Sequence, residues 1–182
     1  MPRYFAFLRA INVGGRNVTM EQLRGHFTDL GFSAVESFIA SGNIIFSSRT
    51  RAIPALRTKI EGGLKRVLGY AVSTFIRTEE QVASIHCHRP FPAAEMQAAH
   101  GVYVGLMAEP PTAAAARELL ALNDKVNRFH VNGSEVYWLG MPHQDESTVS
   151  MAAMERALGA PATFRNLNTI ARLVAKYELG PR

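Results

Sequence analysis

The sequence of 182 residues contains a single cysteine, Cys87. One cysteine excludes an internal disulfide and suits a reducing compartment, so we expect a cytoplasmic protein. The longest apolar runs are far too short to cross a bilayer, which predicts no membrane partner. Arg9 interrupts the first apolar run and no small-residue cleavage site follows, so we expect no signal peptide.

The sequence also lacks two glycine-rich patterns that commonly hold nucleotide phosphates, Gly-x-x-x-x-Gly-Lys and Gly-x-Gly-x-x-Gly. We expect no cofactor. The run of His86, Cys87 and His88 resembles a set of metal ligands, but successive side chains at a helix end point about 100° apart and rarely bind one ion. Because no second cysteine and no spaced histidine pair accompany this run, we expect no metal site.

Positive charge is concentrated in the first half of the chain. Residues 1–90 hold 12 Lys or Arg against 6 Asp or Glu, a net charge of +6, whereas residues 91–182 hold 8 against 9, a net charge of −1. Fixed positive charge attracts phosphate groups, so the basic half indicates an anionic partner. The alternative is a solvated surface rich in arginine, because these charges are scattered along the sequence and do not form one contiguous block.

Hydrophobic spacing predicts strands and helices in the first half. Thr19 and Thr78 each begin a capping box, with a glutamine three residues further on. Residues 41–43 separate two strand-like runs and predict a β-hairpin. In order, the predicted elements are a strand at 4–8, a helix from 19 to 31, a hairpin over 35–46, a helix from 53 to 69, a strand at 72–76 and a helix at 78–86.

The second half repeats this order. Its predicted elements are a strand at 102–107, an Ala-rich helix ending near 122, a hairpin over 126–139 that turns at Asn132 and Gly133, a helix at 151–158, a short strand at 162–164 and a helix at 170–177. Strand–helix–strand–strand–helix–strand is the order of the ferredoxin-like, split βαβ motif.

Two copies of this order predict an α+β fold with two ferredoxin-like (βαββαβ) units in tandem and a C-terminal helix. The Arg-Pro-Phe-Pro run at 89–92 breaks the pattern, which predicts a basic unit over 1–90 and a second unit over 91–182. The matching order indicates an internal duplication, although the halves share little residue identity.

Residues 9–17, here called the glycine loop, form the predicted turn from the first strand into the first helix. Gly14 and Gly15 can adopt positive φ or allow a ligand to approach the backbone closely. Arg9 and Arg16 add positive charge, and Asn12 adds a neutral hydrogen-bonding group. The helix that follows adds unpaired N–H groups, so this turn predicts an anion-binding site. The alternative is a structural turn in which asparagines cap backbone groups.

Topology brings a second stretch to the same place. In a ferredoxin-like unit the first two strands run in parallel, so the glycine loop and the hairpin tip with Ser41 and Asn43 should share one edge of the sheet. The alternative for Ser41 and Asn43 is a plain hairpin tip. Arg165 and Asn166 precede the last predicted helix, where a positive charge is unfavourable unless it serves a partner carboxylate or a ligand.

Three stretches of this sequence resemble the signatures of the domain of unknown function 1697 family, which is widespread and mainly bacterial. They are Arg9-x-Ile11-Asn12-Val13-Gly14-Gly15, then Ser41-Gly42-Asn43 before an apolar strand, then Ala-Thr-Phe-Arg-Asn-Leu-Asn-Thr at 162–169. The resemblance covers essentially the whole chain and implies a two-part α+β fold of ferredoxin-like character. It implies no activity, substrate or catalytic residue. A departure from the pattern is Leu167, where the resemblance implies a tryptophan.

The leading hypothesis is a binding protein for an anionic, phosphate-bearing ligand, either a nucleotide or another small molecule, or a nucleic acid. Its candidate ligand-binding residues are Arg9, Asn12, Gly14, Gly15, Arg16, Ser41, Asn43, Arg165 and Asn166. One alternative is a small-molecule enzyme that uses the same pocket, with Ser41 as nucleophile or the arginines stabilising negative charge. Against it, the three signatures contain no His, Asp, Glu or Lys to act as acid or base. Another alternative is an interaction protein that self-associates, and the oligomeric state is left open.

Overall fold

The structure, a computed structural model, describes residues 1–12, 14–141 and 149–180. The first half contains β1 (Arg3–Leu8), α1 (Met20–Asp29), β2 (Ser33–Ser37), β3 (Asn43–Ser47), α2 (Ile53–Leu68), β4 (Thr74–Thr78) and α3 (Glu79–Cys87). The second half contains α4 (Ala93–Ala98), β5 (Gly101–Leu106), α5 (Ala113–Leu120), β6 (Asn127–Asn132), β7 (Glu135–Gly140), α6 (Met151–Leu158), β8 (Thr163–Asn166) and α7 (Leu167–Tyr177).

The strands form two four-stranded antiparallel sheets with the orders β2-β3-β1-β4 and β6-β7-β5-β8. The two orders match strand for strand, and each sheet follows the βαββαβ pattern. The predicted α+β fold with a repeated unit and a C-terminal helix, α7, is therefore confirmed. Within the described ranges, no helix is both long and apolar enough to cross a membrane.

The chain divides into two compact units, which are described separately below. The first unit comprises Met1–Ala83 together with the C-terminal residues from Leu179, and the second unit comprises Ser84–Glu178. Both capping boxes are confirmed in the first unit. Thr19 and Gln22 exchange side-chain and backbone hydrogen bonds at the start of α1, and Thr78 and Gln81 do the same before α3.

The helix α4 was not predicted, because the prolines that precede it indicate only a break in the chain. Pro92 instead occupies the N-cap position of α4, where its missing N–H costs no hydrogen bond. The carbonyl of Pro92 accepts a hydrogen bond from the backbone N–H of Met96 at 3.0 Å. The same prolines that interrupt the preceding pattern therefore begin a short helix.

The core of the first unit lies between its sheet and the helices α1 and α2. Alternate residues of β1 and β3 face Leu23 and Phe27 of α1 and the apolar stripe of α2. An aromatic group centres on Phe46, whose ring lies 5.6 Å from those of Tyr4 and Phe27 and 4.5 Å from that of Phe32. This packing holds the strands in place. The loops that connect the strands and helices lie at the ends of the sheet.

The second unit has an equivalent core. Leu119 of α5, Met154 and Leu158 of α6 and Phe129 of β6 are buried together against the second sheet. The indole N–H of Trp138 donates to the side-chain oxygen of Asn127 at 2.9 Å, so the polar atom of this large side chain is satisfied.

Candidate functional site

The glycine loop follows β1 and is closed by the side chain of Asn12. The amide nitrogen of Asn12 donates to the carbonyl of Val18 at 3.0 Å, and its amide oxygen accepts from the N–H of Val18 at 2.7 Å. At the start of the loop, the N–H of Arg9 donates to the carbonyl of Ser73 at 2.9 Å. Asn12, a candidate ligand contact, thus ties the middle of the loop to Val18, just before α1.

Gly14 and Gly15 lie exposed within this loop, and both adopt left-handed backbone angles, with φ of 68° and 79°. Apart from the residues next to each glycine in the chain, no described atom lies within 4 Å of the position that a Cβ would take at either glycine. Glycine therefore suits both positions because of the left-handed backbone conformation, and the space next to the backbone is open.

We expect Gly15→Ala to lower the free energy of unfolding by about 1–2 kcal/mol, because an alanine in the left-handed region meets its own backbone. The matched control is Gly62→Ala in the middle of α2, where the added Cβ also meets nothing within 4 Å. That change should stabilise the protein by about 0.5–1 kcal/mol through helix propensity. Chemical denaturation of both variants checks the prediction, and a destabilised Gly62→Ala or an unchanged Gly15→Ala would contradict it.

Arg16 is supported by Tyr70, a residue that the sequence analysis did not select. The guanidinium carbon of Arg16 lies 4.0 Å from the centre of the Tyr70 ring, a cation–π contact. The hydroxyl of Tyr70 donates to the carbonyl of Ile11 at 3.1 Å. Since β4 pairs with β1 in antiparallel fashion, the connection before β4 reaches the same end of the sheet. Topology was the signal that could have identified Tyr70.

The hairpin tip between β2 and β3 meets the glycine loop. The N–H of Leu8 donates to the carbonyl of Gly42 at 2.8 Å, and Phe7 pairs with Asn43 across β1 and β3. A Cβ on Gly42, which has φ of 72°, would lie 3.1 Å from Ile11 Cγ2 and 3.3 Å from Leu8 Cβ. The backbone pairing thus brings the glycine loop and the hairpin tip together at one edge of the sheet, as expected.

Asn43 and Ser41 are joined by a hydrogen bond at this tip. The side-chain nitrogen of Asn43 donates to Ser41 Oγ at 2.7 Å and to the carbonyl of Phe38 at 3.1 Å. Asn43 is buried, with 2% of its surface exposed, whereas Ser41 is exposed. The side chain of Asn43 therefore bridges Ser41 and Phe38 and holds the tip in shape.

Beside this end of the sheet lies an open hollow of about 330 Å³. Ser73 lines the hollow and also accepts the hydrogen bond from Arg9, so the hollow adjoins the start of the glycine loop. Glu61, another lining residue, accepts a hydrogen bond from the backbone N–H of Thr74 at 2.8 Å. The remaining lining residues are Thr58, Gly62, Lys65, Ala71 and Val72.

Arg165 and Asn166 belong to the second unit. Arg165 donates to Thr163 Oγ1 at 2.8 Å and to the carbonyl of Phe164 at 2.9 Å. Burial lowers the pKa of the Arg165 guanidinium to about 10, so it remains charged at neutral pH. Asn166 is the N-cap of α7, and its side-chain oxygen accepts a hydrogen bond from the backbone N–H of Asn168.

Arg77 of β4 is the counterpart of Arg165 in the first unit, and it too was not selected from the sequence. Only 4% of Arg77 is exposed. Each arginine donates to the carbonyl of the residue before it, and each is followed directly by a helix-capping residue, Thr78 or Asn166. The shared order of strand, arginine, cap and helix was the available signal.

Fold and site together define an α+β protein built of two βαββαβ-like units, with a glycine-rich loop at the end of the first sheet. The model of the family described as "Protein of unknown function (DUF1697)" matches residues 1–137, so the chain belongs to this family. The resemblance found in the sequence is thereby confirmed over residues 1–137, and the third signature, at 162–169, lies outside the matched range. No curated protein matches the sequence.

A solved structure is similar over the whole chain. It is the conserved bacterial protein SP0830 from Streptococcus pneumoniae, with 24% sequence identity and a TM-score of 0.74. The match covers 98% of this chain and 99% of that protein. At this identity the likeness supports the fold and carries no function.

Proposed function

We propose that this protein binds an anionic, phosphate-bearing ligand at the glycine loop of the first unit. In this proposal Arg9 and Arg16 supply charge, the backbone of Gly14 and Gly15 approaches the ligand, and Ser41 contributes a hydroxyl. Asn12 and Asn43 position these groups, since their side chains already hold the loop and the hairpin tip. Arg165 and Asn166 stay outside the proposed site because each has a structural role in the second unit.

The observation that carries the proposal is the exposed pair of left-handed glycines, with open space above both, between two arginines in a closed loop. Left-handed backbone at two successive positions favours glycine, so no side chain covers the backbone there. Apart from the chain neighbours of each glycine, no described side chain crowds either position. The bare backbone at both positions would allow a ligand to approach closely.

Backbone strain beside the site supports the same interpretation. Ala10, with φ of 53°, and Ile39, with φ of 51°, are non-glycine residues in the left-handed region. For a β-branched residue such as Ile39 this conformation is a genuine outlier. Such outliers cost about 1–3 kcal/mol and cluster at ligand-binding sites. Ala10 belongs to the glycine loop, and Ile39 lies close to Ser41 in the hairpin tip.

The chemistry of the residues favours binding over catalysis. Arginine makes charge-assisted hydrogen bonds to phosphate, and backbone and hydroxyl groups add neutral ones. Residues 9–17 and 39–43 contain no His, Asp, Glu or Lys that could transfer a proton. The net charge of +6 on residues 1–90 would also draw anions toward this unit.

A thermal-shift panel tests the proposal. Nucleotides, sugar phosphates, short nucleic acids and inorganic phosphate are each added to wild type and to Arg9→Ala, Arg16→Ala and Arg51→Ala. We expect at least one class to raise the melting temperature of wild type, and each loop variant to weaken that ligand about 10-fold or more. Arg51→Ala removes an exposed charge outside the loop and should behave as wild type. The class of compound that raises the melting temperature most shows whether the ligand is a small molecule or a nucleic acid.

Two results would overturn the proposal. One is a panel in which no phosphate-bearing compound stabilises wild type. The other is equal weakening by Arg51→Ala, which would mean that general charge rather than the loop attracts the ligand. Melting of each variant without ligand shows whether Arg9→Ala or Arg16→Ala is folded. If either arginine proves necessary for folding, its role is structural and the proposed ligand contact is wrong.

A further inference from the structure

Two histidines of the second unit face each other across a short gap. His88 follows the last residue of α3, and His130 lies in the middle of β6. Their Nε2 atoms are 3.2 Å apart, whereas their ring centres are 5.2 Å apart. Because the nitrogens are closer together than the rings, the two side chains converge on their Nε2 ends and do not stack.

Two arrangements are compatible with this distance between the nitrogens. Each Nε2 carries either a hydrogen or a lone pair, and two lone pairs or two hydrogens at this distance repel each other. The gap is therefore suited to one shared proton, as in a hydrogen bond, or to one metal ion that accepts both lone pairs. Neutral imidazole nitrogen is the commonest metal ligand in proteins.

The distance fits a metal ion. Two nitrogen ligands about 2.0–2.1 Å from a tetrahedral zinc ion lie about 3.3–3.4 Å apart. The observed separation of 3.2 Å is within about 0.2 Å of that value. The separation of the two nitrogens is therefore compatible with their binding one such ion.

The surrounding side chains hold the two rings in place. The ring of Tyr137 lies 4.9 Å from that of His88 and 6.1 Å from that of His130. Phe91 contacts His130 edge-on at 6.4 Å. Burial, and then the neighbouring His130, lower the pKa of His88, and Glu135 opposes this lowering in part. Aromatic packing on both rings reduces the entropy lost when an ion is bound.

We propose that His88 and His130 together bind a divalent first-row transition-metal ion such as Zn²⁺, Ni²⁺ or Cu²⁺. Water molecules would complete the coordination, because within the described ranges no set of three His, Cys, Asp or Glu side chains comes together as metal ligands. The sequence pattern predicts no metal site, because the near neighbours of His88 are His86 and Cys87, whose side chains point in different directions at a helix end. The second histidine lies 42 positions away in sequence.

The test uses the full chain without a histidine tag, first stripped with a chelator. Ni²⁺, Zn²⁺ and Cu²⁺ are titrated by calorimetry, and quenching by Cu²⁺ is followed in the fluorescence of Trp138, the only tryptophan. We expect one ion per chain, and at least 10-fold weaker binding in His88→Ala and in His130→Ala. The double variant should bind the ion at most a few-fold more weakly than either single variant does. His100→Ala, an exposed histidine of the same unit, should bind as wild type does.

Affinity for all three ions that is unchanged in the double variant would overturn the proposal. So would an equal loss in His100→Ala, which would mean that the ion binds elsewhere. If the alanine variants do not fold, histidine ring resonances of wild type are followed by NMR during Zn²⁺ addition. Shifts in the rings of His88 and His130 support the site, whereas shifts in other histidines alone contradict it.

Discussion

Gly42→Val is expected to lower the free energy of unfolding by about 2–5 kcal/mol. A left-handed residue with a side chain costs about 1–2 kcal/mol, and valine is β-branched, which adds to that cost. The new side chain would also begin 3.1 Å from Ile11 and 3.3 Å from Leu8, so the buried junction of the two loops would be overpacked by about 1–3 kcal/mol. Urea denaturation followed by circular dichroism measures the loss.

Gly15→Val is the matched control for this prediction. Gly15 has nearly the same φ as Gly42, 79° against 72°, but its surroundings are open. The difference between the two variants therefore isolates the packing of the hairpin tip against the glycine loop. Equal losses in the two variants would mean that Gly42 is required only for its backbone conformation, and that the loops do not press on each other.

The double variant Arg9→Ala/Arg16→Ala is expected to weaken ligand binding by about 100-fold or more. Each arginine should contribute a charge-assisted hydrogen bond, and about 1.4 kcal/mol per contact is already a factor of ten. Calorimetry with the best ligand of the thermal-shift panel measures the loss. High salt should reduce the loss only partly, because contacts at short range are less screened than distant charges.

The control for the double variant removes the same charge elsewhere. Arg49→Ala/Arg51→Ala deletes two exposed arginines of the first unit outside the glycine loop. We expect it to weaken binding by less than about 3-fold, mainly through the general field of the unit. A loss as large as that of the loop variant would contradict a specific site. Tyr70→Phe keeps the ring beneath Arg16 and removes only the bond to Ile11, so it should have a small effect.

Most of the fold could be predicted because its signals are local. The apolar spacing of α1 and the capping residues Thr19 and Thr78 are visible within four residues of sequence. Repetition of the element order then gave the two βαββαβ-like units. The helix α4 was missed for the same reason, since Pro92 gives one local signal for both a chain break and a helix start.

The details of the candidate site depend on contacts between distant residues. The sequence selected Asn12 and Asn43, but it could not show that their amides would be used to close the loop and the hairpin tip. Tyr70 reaches Ile11 across 59 positions, and His130 reaches His88 across 42. Such pairings follow from strand register, which single-residue patterns do not specify.

NMR of ¹⁵N-labelled protein tests whether the glycine loop binds a phosphate-bearing ligand. The best ligand of the panel is added stepwise and the backbone amide signals are followed. If the ligand binds at the glycine loop, we expect saturable shifts of the amide signals of Gly14, Gly15 and Arg16, with smaller shifts at Ser41 and Gly42. Saturable shifts confined to other parts of the chain, with the signals of Gly14 and Gly15 unmoved, would contradict it.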